Sequence, residues 1–340
     1  MKLIAMLRLV LCTLLLAPAP GSLAAAEEAP WTWAGLEILG NHSVPRSAIE
    51  PLIPIPLGSP YRVGDAPFWS DGCEQVKRRF DFADVICGDR PLRVFDGRKA
   101  YLIVDVVEKG QEDRLRFREA PSGSVPFGSD EIVSIAGELG SRTMSAAMAG
   151  HPYDESGDKG YLSYVDPNGT NEDLGPVVDK LARLVPEHRG NLLDILKQDK
   201  DPQKRQKAAN LLCWAGGDLQ KLIRTTLPLL DDPDPGVRNN LSRFMLHFVG
   251  QLPSKRLHRR MIDSFVDQIE RPSHGDRNKG LYNLLTLASA FPADRDHLRG
   301  SGLASIRYLA ENSIVFNVQG PARELLALIE GTGDEATRLP

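Results

Sequence analysis

Two helix openings of one design constrain this chain more than any other stretch. Asp201-Pro202-Gln203-Lys204-Arg205 and Asp234-Pro235-Gly236-Val237-Arg238 lie about 33 residues apart, a period typical of stacked helical repeats. Ala208, Leu211, Leu212 and Ala215 follow the first opening, and Leu241, Phe244, Met245 and Phe248 follow the second. Leu219, Leu222, Ile223, Leu227 and Leu230 make a further apolar helix face between them. The pair reads as the middle of an all-α solenoid over 175–330, flanked by less regular units at Asp276–Leu281 and Pro321–Ile329. Asp201, Arg205, Asp234 and Arg238 are then a structural ladder. Each acid offsets the free N–H groups of a helix start, and each Arg reaches its own or the neighbouring unit's Asp. The tail 331–340 is expected to fray.

The opening residues read differently. Lys2 and Arg8 precede an apolar run from Leu9 to Ala17, and Ala24-Ala25-Ala26 supplies small side chains for cleavage, so 1–26 is read as a signal peptide. A retained N-terminal anchor is the alternative. Export to a periplasmic or secreted location makes a disulfide between Cys73 and Cys87 possible, and metal binding is the rival use of that pair. Two cysteines with no nearby His do not complete a zinc set. Cys213 sits on an apolar helix face and reads as a buried small hydrophobe.

Between these regions, 31–110 reads as a small α+β domain ordered strand, helix, helix, strand, strand. Leu36–Asn41 alternates and stops at Gly-Asn, Ile49, Leu52 and Ile53 suit a short helix, and Gly72–Arg79 a second. Phe82–Gly88 extended by Leu92–Phe95, a turn at Asp96-Gly97, and Lys99–Glu108 form the closing hairpin. The motifs Ile38-Leu39-Gly40-Asn41, Gly58-Ser59-Pro60-Tyr61, Arg79-Phe80 and Val104-Asp105-Val106-Val107-Glu108, in this order, resemble those of a POTRA domain. The resemblance covers under a quarter of the chain and departs from the family in its proline density over 51–60 and in the insertion 62–69. It implies recognition of extended segments along the edge of the second main strand, with a folded spacer as the other reading. The Asp…Arg openings resemble HEAT repeats, which implies a scaffold that binds other proteins.

The join, 111–174, carries charge, then a Pro/Gly/Ser-rich stretch at 121–128, a helix from Ser129 to about Ala149, and a long loop. Ser156-Gly157-Asp158-Lys159 matches a Ser-x-x-Lys nucleophile motif, but Gly157 and the loop composition deny it the helix that the chemistry needs. Asp166–Thr170 opens like a calcium loop and lacks its sixth-position Gly. The seven His residues are scattered, and no phosphate loop, metalloprotease or redox motif occurs. No cofactor, metal or catalytic residue is expected. A net charge of −4 argues against nucleic acid as a general partner. One local exception is basic: Lys255, Arg256, Arg259 and Arg260 crowd one side of a helix whose inward stripe is Leu257, Met261, Phe265 and Ile269.

These features predict a non-catalytic, exported adaptor of the bacterial cell envelope whose partner is another protein. Two alternatives stand beside it: a hydrolase with its site in 151–170, and a protein that uses Lys255–Arg260 on an anionic membrane surface. The oligomeric state is left open.

Overall fold

A computed structural model describes residues 31–61, 69–94, 97–148 and 174–332. The α+β order expected for 31–110 is present: β1 (Trp31–Leu39), α1 (Arg46–Ile49), β2 (Pro60–Tyr61), α2 (Ser70–Phe80), β3 (Asp84–Val94) and β4 (Gly97–Val107). The strands form a mixed sheet in the order β2-β1-β4-β3, with β1 parallel to β4 and the β3/β4 hairpin antiparallel. The short β2 was not anticipated; the Gly58–Tyr61 link folds back and pairs Tyr61 with Trp31.

Because side chains alternate along a strand, each face of this sheet has its own task. Leu36, Ile38, Leu102, Val104 and Val106 pack with Ile49, Ile53 and Val76 beneath the two helices. Glu37, Ile103 and Asp105 alternate with these residues and, like them, are buried. Both faces of β4 are therefore covered, which explains its nearly continuous apolar run from Leu102 to Val107. Asp105 interrupts that run because it has a buried charge to meet.

The remainder is mostly helical: α3 (Asp130–Met148), α4 (Leu174–Leu184), α5 (Arg189–Gln198), α6 (Pro202–Leu211), α7 (Leu219–Thr226), α8 (Pro235–Phe248), α9 (Lys255–Glu270), α10 (His274–Ala290), α11 (Arg295–Asn312) and α12 (Phe316–Glu330). The two openings fold alike. Asp201 accepts from the N–H of Gln203 and Asp234 from that of Val237, each ahead of a Pro in the first turn. In one row α6 packs on α8, α8 on α10 and α10 on α12; α9 and α11 pack together on the other side. One apolar core runs from Ile132 through Leu241 and Phe244 to Ile329. Gly280 permits the close crossing of α9 and α10, since a Cβ there would lie 2.6 Å from Ile269.

The last helix starts earlier than its sequence suggests, at Phe316, and Pro321 lies inside it. A proline within a helix deprives the carbonyl four residues back of its donor. Here that carbonyl, Asn317 O, accepts from Asn278 Nδ2 of α10 at 2.7 Å. A neighbouring helix thus supplies the missing hydrogen bond.

The sheet docks on the helices through its second face. Arg277 of α10, 2% exposed, pairs with Asp105 at 2.6 Å. Glu37 takes up the start of α12: one carboxylate oxygen accepts from Ser313 Oγ (2.6 Å), Ile314 N (2.9 Å) and Val315 N (3.2 Å). The helix has no side-chain cap of its own, so a strand at the other end of the chain provides it. The stretch 111–129 lies along the helix ends. Arg118 N donates to Asp231 O (2.8 Å), Gly123 N to Gln198 O (3.0 Å) and Gly128 N to Asn191 Oδ1 (2.8 Å). Arg277→Met is expected to cost about 3–5 kcal/mol by leaving the Asp105 carboxylate buried and unpaired. Arg277→Met with Asp105→Leu should recover most of it, both read from urea unfolding; equal losses in the single and double variants would refute this account of the docking.

Candidate functional site

The ladder residues come first. Arg205 sends Nε and Nη2 to the carboxylate of Asp232 at 3.0 and 2.9 Å, while Nη1 donates to the carbonyls of Asp199 (2.9 Å) and Lys200 (3.2 Å). Arg238 repeats this. Its Nε and Nη2 hold Asp276 at 2.7–3.0 Å, and Nη1 donates to the carbonyls of Asp232 (2.8 Å) and Pro233 (3.1 Å). Arg277 is the third of the set. It stands four residues after the cap Ser273 and donates to Arg271 O at 3.1 Å, but its carboxylate is Asp105 of the sheet.

Each Arg therefore ties its own helix start to a carboxylate outside that helix. Asp201 and Asp234 are not those partners, because their side chains are occupied as caps. The partner missed from sequence, Asp232, belongs to a second repeated acid: Asp199 and Asp232 each lie two residues before a capping Asp. Both accept from that Asp's N–H, at 2.8 and 2.9 Å. Burial pushes the Asp232 carboxyl up, but hydrogen bonds from Arg205, Arg118 and the Asp234 N–H outweigh it and hold the group below the usual carboxylate range. Asp199 is likewise depressed: burial is outweighed by Lys204 and the N–H groups of Val125 and Asp201. Such pairing leaves these residues no spare chemistry.

Cys73 of α2 and Cys87 of β3 form a disulfide that closes a separation of 14 residues. The bond suits an oxidising compartment and pins one strand to the helix beneath it. Cys213 is a buried free thiol, and burial pushes its pKa well up.

The pinned strand, β3, is the edge of the sheet: β4 pairs along one side of it, and no described strand pairs along the other. A groove of about 260 Å³ runs between this edge and the helix ends, with Ile86 and Gly88 on one wall and Phe117, Pro233, Pro235 and His274 on the other. Ile86 is 38% exposed, which is unusual for a large apolar side chain in this protein. Phe117 lies against two guanidinium groups, its ring centre 4.4 Å from that of Arg238 and 5.4 Å from that of Arg271. His274 is neutral, its pKa pushed down to about 3 by burial first and then by Arg277. A larger cavity, about 460 Å³, lies by Gly40, Arg114, Glu270 and Tyr308. Its polar walls are partly committed to each other, since Gly40 N donates to Tyr308 Oη (2.9 Å) and Arg114 Nε to Glu270 O (2.8 Å).

Lys255, Arg256, Arg259 and Arg260 are exposed, on the first turns of α9. Among the described residues, no three His, Cys, Asp or Glu side chains group as a metal site, and no helix is long and apolar enough to cross a membrane. Residues 1–30, which include the stretch read as a signal peptide, residues 151–170 with Ser156 and Lys159, and residues 333–340 lie outside the described residues. Comparison with protein-family models, with curated proteins and with solved structures returns no match.

Two outcomes follow for stability. Depressed carboxylates such as Asp199 and Asp232 stabilise the fold fully above the unfolded pKa of about 3.9, and that contribution is lost as pH falls through the lower folded values. Urea midpoints should therefore drop from neutral pH to about pH 3, with a flatter decline in Asp232→Asn; an identical decline would show that Asp232 is not linked to folding. Separately, Cys73→Ser with Cys87→Ser should lower the unfolding free energy by about 3 kcal/mol.

Proposed function

We propose that this protein is a non-catalytic, exported adaptor of the bacterial cell envelope. It pairs a POTRA-like domain with a HEAT-like helical stack and binds an extended segment of another protein. The observation that carries this reading is the edge of β3 beside its apolar groove. An edge strand offers unpaired N–H and C=O groups to an added strand, and the groove beside it gives alternate side chains somewhere to go. Pro91 lacks an N–H and blunts the far half of β3, so the stretch Asp84–Arg90 is the part open to pairing.

Support for the stack comes from the equivalent placing of Arg205, Arg238 and Arg277 at the starts of the alternate helices α6, α8 and α10, as units built to one plan require. The disulfide favours export through the compartment that it implies. Neither the groove nor the ladder supplies an activated nucleophile, so binding is the activity that the described residues suit.

Ile86→Lys tests the assignment. It places a charge at the groove, on the face away from α1 and α2; because Ile86 lies in register with Asp105, the urea midpoint of the variant is compared with that of the unaltered protein before capture is read. Crosslinking in the native envelope should capture the partner with the unaltered protein, and the variant should lose about tenfold or more of that capture, the scale of one anchor residue. Undiminished capture by a folded Ile86→Lys protein would remove β3 as the docking edge.

A further inference from the structure

We infer that the first turns of α9 form a second, separate docking surface, which binds the phosphate headgroups of an anionic bilayer. Lys255, Arg256, Arg259 and Arg260 occupy successive positions one turn apart, so the four make a compact square on the exposed side of the helix. His258, within the same turns, faces inward. Its Nε2 lies 2.6 Å from Leu252 O and its Nδ1 3.0 Å from Asp294 Oδ2, which anchors the helix start beneath the square.

The charges are placed against the interest of the helix itself. The N-terminal end of a helix carries partial positive charge and favours acids, whereas bases belong at the other end. α9 is reversed: its four exposed cations fall within the first six positions and its acids, Asp263, Asp267 and Glu270, come after them. Asp263 is one turn from Arg259 and Arg260, the natural partner for a solvated i,i+4 pair. It is instead engaged by His297 of α11 at 2.7 Å, and Glu270 accepts from Ser305 Oγ at 2.5 Å. Among the described residues none of the four cations has an ion pair. An arrangement that opposes the dipole of its own helix and has no ion pair among the described residues is suited to an outside anion.

The shape of the surface favours lipid over polypeptide. The cations stand on the outer side of a helix, and neither the groove beside β3 nor the cavity by Tyr308 includes any of them. Cations that stand out from the side of a helix can lie on a fluid layer of headgroups that moves to meet them. Arg, three of the four, matches phosphate oxygens in bidentate fashion. Large apolar side chains that are well exposed, Leu57, Ile86, Ile314 and Phe316, lie outside α9, so contact would be electrostatic, shallow and reversible.

The test is cosedimentation of the full chain with vesicles of phosphatidylcholine alone and of phosphatidylcholine mixed three to one with phosphatidylglycerol, at low and high salt. Binding is expected to the mixed vesicles only and should fall steeply with salt. Replacing the four cations together with Gln should reduce partition by roughly a hundredfold or more. The pair Arg256→Gln/Arg259→Gln should weaken binding far more than Arg78→Gln/Arg79→Gln, which makes the same net-charge change on exposed α2. Equal binding to neutral vesicles, an unchanged quadruple variant, or equal losses from the two pairs would overturn the proposal. So would retention on immobilised polyglutamate with no binding to either vesicle, which would assign the square to an acidic polypeptide. Because Ile86 is not in this surface, failure here leaves the β3 assignment standing, and the reverse.

Discussion

A buried guanidinium shared between a helix start and a carboxylate outside that helix links the elements of the described structure. Removing such a charge from water is expensive and is offset only by close partners. Arg205 and Arg238 engage all three of their nitrogens, with two carbonyls and a carboxylate each, whereas Arg277 leaves its buried Nε without a partner. The carbonyls belong to the turn entering the same helix, and the carboxylate lies at or before the start of a later helix, so one side chain fixes both the local turn and the spacing between helices. The third Arg differs in its partner: it takes Asp105 from the sheet.

That change of partner makes the sheet an extension of the helical core. Its outer face carries two acids, and each is spent on the helices, Asp105 on a guanidinium and Glu37 on the amides of a helix start. The return segment then runs back along the same line of turns. Val125 N donates to Asp199 and Arg118 Nη2 to Leu196 O, both at 2.7 Å. The groove beside β3 is a product of this docking, because neither the strand edge nor Phe117 encloses it alone.

Much of this was legible in residue order, and what was not has a common cause. Apolar spacing located β1, β4, α2 and the helices after Asp201 and Asp234, since each rests on a local period. The Cys73–Cys87 pair was legible because both residues fall within one small domain. Glu37, Asp105 and Phe117 were invisible as functional groups, because their partners lie far along the chain and no period links them. Asp232 was within reach: the spacing Asp-x-Asp-Pro occurs at both openings, but the second Asp drew attention because it sits beside the Pro. At Pro321 a breaker residue was read as a boundary. A side chain from another helix cancelled its cost, and no local rule could supply that information.

The cap that Glu37 places on α12 joins residues 276–278 positions apart. A contact of such sequence separation contributes only after a large loop-closure entropy has been overcome. A chain lacking the segment from Ser313 onward would leave the buried Glu37 carboxylate without the hydroxyl and two amides that it accepts from. The entry to α12 thus completes a sheet face that β1 cannot satisfy by itself.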